Sequence, residues 1–570
     1  MKYDNLDNWD KNFRHDGLLY FAQRINEMLF YYTDHIFKSP VLNTELLVNE
    51  YIKTAKLARN NDGHLKQIMD EFQNAFKKDI ILNGHIDEHE RTHILHKLNT
   101  SSSEEQFKIM EYVLYVLGDY NKWCKQFIKE IVHQENEKKK IEIALRCYIS
   151  GLIAAGYSHE FIYYYNREVF FKKVVNSMDS LDFFINRFDF KERTYKVYIA
   201  IDAKAVNFFK ELLEQRLKVN FASFEHLTDL KYDKTKYRLV MVNISAFDEQ
   251  SAAWKAYNRL NIFFRYYRFL AEQKDSWFFY KARVADENDV VAYVNLKDYG
   301  IDYPKEDDTE FLVKYSDICI SVLQTKEPYF MINKALTAHN AAIDDLDIKN
   351  RFLNLWSILE ILFVWEQNDT KLSEIIKKAV PILQHTYLHS LFAIIKKDIS
   401  TAVDKNLISE IINSIDEADR SNGMTYIIAL EKYEDQRKKI CAELKDYPLL
   451  RNRIFKLNEL CRDKKQLLDN INAYAQRITW HFTRLYRTRN AIIHLGSNPD
   501  YLRELVEHLH SYSDECLSML IFLLAKKPQL ETISNAIIHV QFRVEKIITR
   551  LKSKETEAVS KDDIDYFLDF

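Results

Sequence analysis

Arg489-Asn490-Ala491-Ile492-Ile493-His494 places a fixed cation, an amide and an imidazole within one short stretch. These are the groups that cutting an RNA strand without a metal requires. The ribose 2′-hydroxyl must lose a proton and the leaving 5′-oxygen must gain one, and an imidazole titrating near neutrality serves either step. Negative charge building on phosphorus calls for a permanent cation, and the planar guanidinium grips phosphate oxygens in pairs where Lys offers a point charge. The Asn490 amide can donate to the phosphate or hold the imidazole in one orientation. The products of such chemistry are a 2′,3′-cyclic phosphate and a 5′-hydroxyl.

The elements around this stretch must position it. Helical spacing puts Asn490 and His494 one turn apart on one face, with Arg487 close to that face and Arg489 rotated away but long in reach. Ile478, Phe482, Leu485 and Ile492 form the apolar stripe that such a helix would bury. Gly496 is expected to stop it, and Asn498-Pro499 reads as the N-cap and first turn of the next helix. Arg487 with His494 also has workable spacing, but the polar Asn490 directly after Arg489 favours Arg489.

The pattern resembles the active-site signature of the HEPN ribonucleases, an Arg followed by a polar residue and, four to six positions on, a His. The stretch Phe352-Leu353-Asn354-Leu355-Trp356-Ser357-Ile358-Leu359-Glu360 looks like the opening helix of the Apea-like HEPN branch of bacterial abortive-infection proteins. The resemblance covers residues 343–552. It implies an all-α bundle, a homodimer through that domain, RNA (often tRNA) as substrate, no cofactor and no catalytic metal, and a role in phage defence under a phage-encoded trigger. Arg489, Asn490 and His494 would then be catalytic, with Arg487 and Glu360 supporting. Glu360 lies among Leu359, Leu362 and Phe363, and a carboxylate at the edge of an apolar face wants a cationic partner, for which Arg489 or Arg487 is the candidate. A second class of reading keeps the fold but not the activity, making the domain an interaction module in a toxin or defence complex.

A third reading rests on His89-Glu90-Arg91-Thr92-His93, which spells the H-E-x-x-H of zinc peptidases. Its context is poor, because Asp87, Glu88 and Arg91 crowd it with charge. Glu104, Glu105 or Glu111 could offer a third ligand, and His85 and His96 widen the cluster, yet none belongs to a second motif. A solvated, His-rich helix is the favoured reading.

The whole chain reads as mainly α. Residues 1–188 form a helical amino-terminal domain, in which Phe107, Met110, Val113 and Leu114 recur at helical steps. Residues 189–335 form an α+β module, a sensor or gate, in which Tyr195, Val197, Ile199 and Ile201 alternate with Lys196, Tyr198 and Ala200 as in a half-buried strand. A helix over 203–217, a strand over 239–244, Asp248 as N-cap of a long helix, and strands over 277–284 and 290–296 complete it. In that long helix Arg259, Arg265 and Arg268 interleave with Phe263, Phe264, Tyr266 and Tyr267, best read as one face on the sheet and one in water. The acidic-aromatic end at 553–570 could dock on a basic groove, but a frayed tail is the favoured reading.

Composition bounds the rest. With 570 residues the chain exceeds one core, and only 9 Gly and 7 Pro interrupt it, which favours long helices. The six cysteines are scattered without a C-x-x-C pair, the amino terminus lacks an apolar leader, and no apolar run approaches the ~20 residues of a membrane span, all expectations for a cytoplasmic protein. The net charge of -3 hides an asymmetry: residues 431–494 carry 15 Lys or Arg against 8 Asp or Glu, which would draw a phosphate-bearing ligand.

Overall fold

A computed structural model describes residues 5–13, 15–31, 33–38, 40–57, 62–222, 233, 235–271, 278–296, 326–345, 347–365, 369–552 and 557–569. The described residues are mainly helical, with a five-stranded antiparallel sheet in the middle of the chain. It divides into two compact units, the first built from residues 1–150, 170–178 and 305–570, the second from 151–169 and 179–304. The helical segment up to residue 150 therefore shares a unit with the carboxy-terminal helices, while residues 151–169 and 179–188 go with the sheet, a division that helical periodicity alone does not reveal.

In chain order the first helices are α1 (Asp16–Leu29), α2 (Thr44–Leu57), α3 (Asp62–Lys78), α4 (Glu88–Thr100), α5 (Ser103–Val116), α6 (Tyr120–Val132), α7 (Lys138–Ala155), α8 (His159–Arg167) and α9 (Asp179–Asn186). The middle runs β1 (Arg193–Asp202), α10 (Ala203–Leu217), β2 (Asn220–Phe221), β3 (Tyr237–Ala246), α11 (Glu249–Ala271), β4 (Phe278–Ala285) and β5 (Val291–Asn295). The carboxy-terminal helices are α12 (Lys326–Asp344), α13 (Ile348–Phe363), α14 (Lys371–Ala402), α15 (Lys405–Asn413), α16 (Gly423–Ala429), α17 (Glu434–Glu443), α18 (Pro448–Cys461), α19 (Lys464–Asn490), α20 (Leu502–Lys526), α21 (Ile533–Lys552) and α22 (Lys561–Leu568).

In the second unit the strand order is β2-β3-β1-β4-β5. Val197 of β1 lies opposite Val242 of β3 and Val284 of β4, and these residues are buried with Ala253 and Leu260 of α11. The alternation along β1 predicts one wet face, but Tyr198 and Ala200 are buried too, in a small cluster with Leu239 and Ala285. Asp248 caps α11 by accepting from the Ser251 amide at 2.8 Å, and it also accepts from the amide and hydroxyl of Ser158, which caps α8. The side chains of Phe263, Phe264, Tyr266, Tyr267 and Arg268 lie outside the described residues.

In the first unit α1 is buried on every side from Gly17 to Leu29, and its charges survive there because they are paired. Arg24 contacts Glu27 at 2.8 Å and Glu142 of α7 at 2.6 Å, and Glu27 also binds Arg453 of α18. The Glu27–Arg453 pair spans 426 residues and ties α1 to α18. Residues 326–335, assigned from sequence to the α+β module, instead form the start of α12, which packs on α13.

The acidic-aromatic end is an ordered helix, which corrects the expectation of a frayed tail. Ser560 and Asp563 form a capping box on α22, and Ile564 and Phe567 are buried. Asp563 also binds Lys464 of α19 at 2.8 Å and Arg550 of α21 at 2.5 Å, while Arg543 donates to the Tyr566 and Asp569 carbonyls. Composition suggested disorder, but an acidic helix facing three cations has a reason to dock.

Candidate active site

Helix α19 runs through 27 residues without Gly or Pro, started by the Asp463 carboxylate, which accepts from the Lys465 and Gln466 amides. Leu467, Ile471, Tyr474, Ile478, Phe482 and Leu485 recur at steps of three and four and are all buried, packing the helix on α14, α18 and α21. The expected stripe of Ile478, Phe482, Leu485 and Ile492 is thus the face that faces the core.

At Asn490 the helix changes. Residues Ala491–Leu495 form one turn of π-helix, which carries an extra residue per hydrogen-bonded ring, and Gly496 ends it in the left-handed region at φ 65°. A β-carbon on Gly496 would meet no atom within 4 Å, so the glycine is there for its backbone rather than for space. The widened turn buries Ile492 and leaves His494 exposed. It also turns His494 off the simple one-turn alignment with Asn490. Asn498-Pro499 do not cap the next helix: the chain makes a further turn, Leu502 N to Pro499 O at 3.2 Å, and α20 opens behind Tyr501 without a side-chain cap.

The guanidinium of Arg489 is half-buried. Its Nη2 lies 3.7 Å from Glu360 Oε1 and its Nη1 donates to Asn490 Oδ1 at 3.2 Å. Because Arg has only donors, this contact fixes the Asn490 amide with its oxygen toward Arg489, leaving the NH₂ group as the end that can donate elsewhere. Glu360 is itself held, accepting from Trp356 Nε1 at 3.0 Å and lying 3.6 Å from Lys371. At the other end of α13 Lys349 donates to the Gly496 carbonyl at 3.0 Å. Helix α13 therefore runs antiparallel to the motif and grips both its ends. Among the described residues the His494 imidazole makes no hydrogen bond.

Arg487 points to a different partner. It donates to Glu50 of α2 at 2.7 Å, beside Arg484, which is 1% exposed and reaches both Glu50 and Glu71 of α3. Burial pushes the Glu50 carboxyl up, but Arg484 and Arg487 overcome it and hold the group down at about 2. Burial raises Glu71, with Arg484 opposing. Of the two arginines considered for Glu360, the structure selects Arg489. Glu50 and Glu71 lie over 400 residues away in sequence, so nothing local marks them as partners.

The cationic excess of residues 431–494 is largely matched by acids brought in by the fold. Arg451 pairs with Asp16, Arg453 with Glu27 and Asp398, Lys464 with Asp563, and Arg484 with Glu50 and Glu71. The expected basic field is thus much weaker than the local sequence suggests.

His89, Glu90 and His93 do sit on one helix, α4, but both imidazoles are exposed and Glu90 accepts from Tyr112 at 2.9 Å. Asp87 is the N-cap of that helix, and Arg91 donates to Asn83 and to the Phe76 carbonyl. His85 stacks on Trp123 at 4.3 Å. Among the described residues these histidines gather no third ligand; the cluster that could hold a metal is instead His339, His510 and Asp514. Sequence reading missed it, although His510 and Asp514 at i and i+4 were a visible half of the signal.

Comparison with known proteins finds no match to any family model, curated protein or solved structure. No described helix is long and apolar enough to cross a membrane.

Proposed function

We propose that the protein is a metal-independent endoribonuclease of the HEPN type acting in phage defence. Arg489 stabilises the charge that develops on phosphorus, the Asn490 NH₂ donates to a phosphate oxygen, and His494 transfers the proton between the 2′-hydroxyl and the leaving 5′-oxygen. The observation that carries this reading is the Glu360–Arg489–Asn490 chain of contacts, which presents a guanidinium and an amide donor one widened turn from an exposed imidazole. Holding these groups on a rigid helix end is what positioning catalysis needs.

Arg487 supports the site through α2 rather than by touching substrate. The rest of the reading follows the family resemblance: a homodimer through the carboxy-terminal helices, RNA as substrate, with tRNA the first candidate, and a phage-encoded trigger. The test is cleavage of total bacterial RNA in EDTA by wild type and by His494→Ala, with the new ends mapped. A non-catalytic interaction module would show equal biological effect from both proteins during infection.

A further inference from the structure

We propose that His339, His510 and Asp514 form a divalent transition-metal site, with Zn²⁺ as its best-fitting occupant. His339 comes from α12, and His510 and Asp514 stand one turn apart on α20. Nε2 of His339 lies 3.1 Å from Nε2 of His510 and 2.9 Å from Oδ1 of Asp514, and Nε2 of His510 lies 3.4 Å from Oδ2 of the same carboxylate. Ligand atoms bound ~2.0–2.1 Å from a tetrahedral zinc stand about 3.3 Å from one another, so the three spacings suit one ion. At this range the two imidazole nitrogens can share one hydrogen or one cation.

The surroundings are those of a ligand set. The Tyr31 hydroxyl lies 3.1 Å from Nδ1 of His510, placed to accept from an Nδ1–H when Nε2 binds metal. Arg351 and Lys38 also lie near His510 and act on its charge. Arg351 and Lys38 oppose a further cation, but Lys38 is already bound to Glu507, and Asp514 turns both carboxyl oxygens toward the two imidazoles. The side chain of Asp514 is 43% exposed, which gives an ion a way in and leaves a coordination position for water. Two His and one carboxylate suit zinc, cobalt or nickel better than magnesium or calcium.

An ion here ties α12 to α20, the segments that precede Glu360 and follow His494 in the chain. This role is independent of the cleavage chemistry. The experiment is titration of the full-length, EDTA-treated and dialysed protein with Zn²⁺ by calorimetry, and with Co²⁺ by visible absorption. Wild type is expected to bind one equivalent and give the ligand-field bands of a four-coordinate cobalt site. His339→Ala and Asp514→Asn should abolish both, Tyr31→Phe should weaken binding by about tenfold or more, and His89→Ala/His93→Ala should leave them unchanged. Circular dichroism checks that each variant is folded, and the partly exposed His339 is the least disruptive position. Absence of stoichiometric binding by wild type, or binding that survives His339→Ala, overturns the proposal; the three side chains would then be a hydrogen-bonded cluster only.

Discussion

Glu360 Oε1 and Arg489 Nη2 lie 3.7 Å apart, joining the end of α13 to the end of the helix that carries the candidate chemistry. At that distance the two groups make no hydrogen bond, so the pair is worth little to stability and its value is positional. Glu360→Gln should change thermal stability by less than about 1 kcal/mol. It should lower RNA cleavage by about tenfold, because loosening a guanidinium by a fraction of an ångström forfeits charge stabilisation at phosphorus. Single-turnover rates should fall while RNA binding at saturating salt-matched conditions changes less.

Arg484 carries the opposite balance. It is enclosed between Glu50 and Glu71, and Arg484→Ala would leave two buried carboxylates facing each other. A loss of about 3–5 kcal/mol is expected. Arg487→Ala, which leaves Arg484 in place, should cost clearly less. Denaturation midpoints of the two variants, compared side by side, check this order.

Acid should weaken the same junction. Glu50 is held at about 2 against an ordinary value of 4.5, so its contribution is fully present above pH 4.5 and is lost as pH falls towards 2. The raised Glu71 has the opposite sign and offsets part of that loss. Glu50→Gln should therefore be less stable than wild type near neutrality and approach it in acid, which melting temperatures across the range would show.

Gly496 should resist substitution for its backbone alone. Gly496→Ala is expected to cost about 1 kcal/mol, with Gly496→Asn milder because Asn tolerates the left-handed region. Since the residue follows the turn that carries His494, cleavage should fall further than stability, as paired melting and cleavage assays would reveal.

How much of this was legible in the sequence follows from the range of the forces involved. Alternation in 195–201 and helical spacing in 352–363 and 478–492 are local, and β1, α13 and α19 appear where those patterns place them. The scarcity of Gly and Pro also signalled the long helices. Strand β2 is only two residues long and leaves no pattern to read. The Arg489–Glu360 contact could be anticipated because a carboxylate beside Leu359 and Phe363 needs a cation. The diversion of Arg487 to Glu50 could not, since its cause lies in α2. The same holds for the docked α22 and the neutralised basic stretch, where charges distant in sequence meet only after folding. The π turn at Ala491–Leu495 spells the same residues as an α turn would, and only the backbone distinguishes them.

If His494 moves the proton in metal-independent RNA cleavage, total bacterial RNA incubated in EDTA with wild type or with His494→Ala should show it when cyclic-phosphate ends are sequenced. Wild type should give discrete new 2′,3′-cyclic phosphate ends, from uninfected or phage-infected extracts, and the variant at least a hundredfold fewer, in line with the ~10²–10⁴ contribution of a general acid or base. Cleavage by His494→Ala at the wild-type rate, or wild-type cleavage that ends when EDTA is added while the protein stays folded, would contradict it.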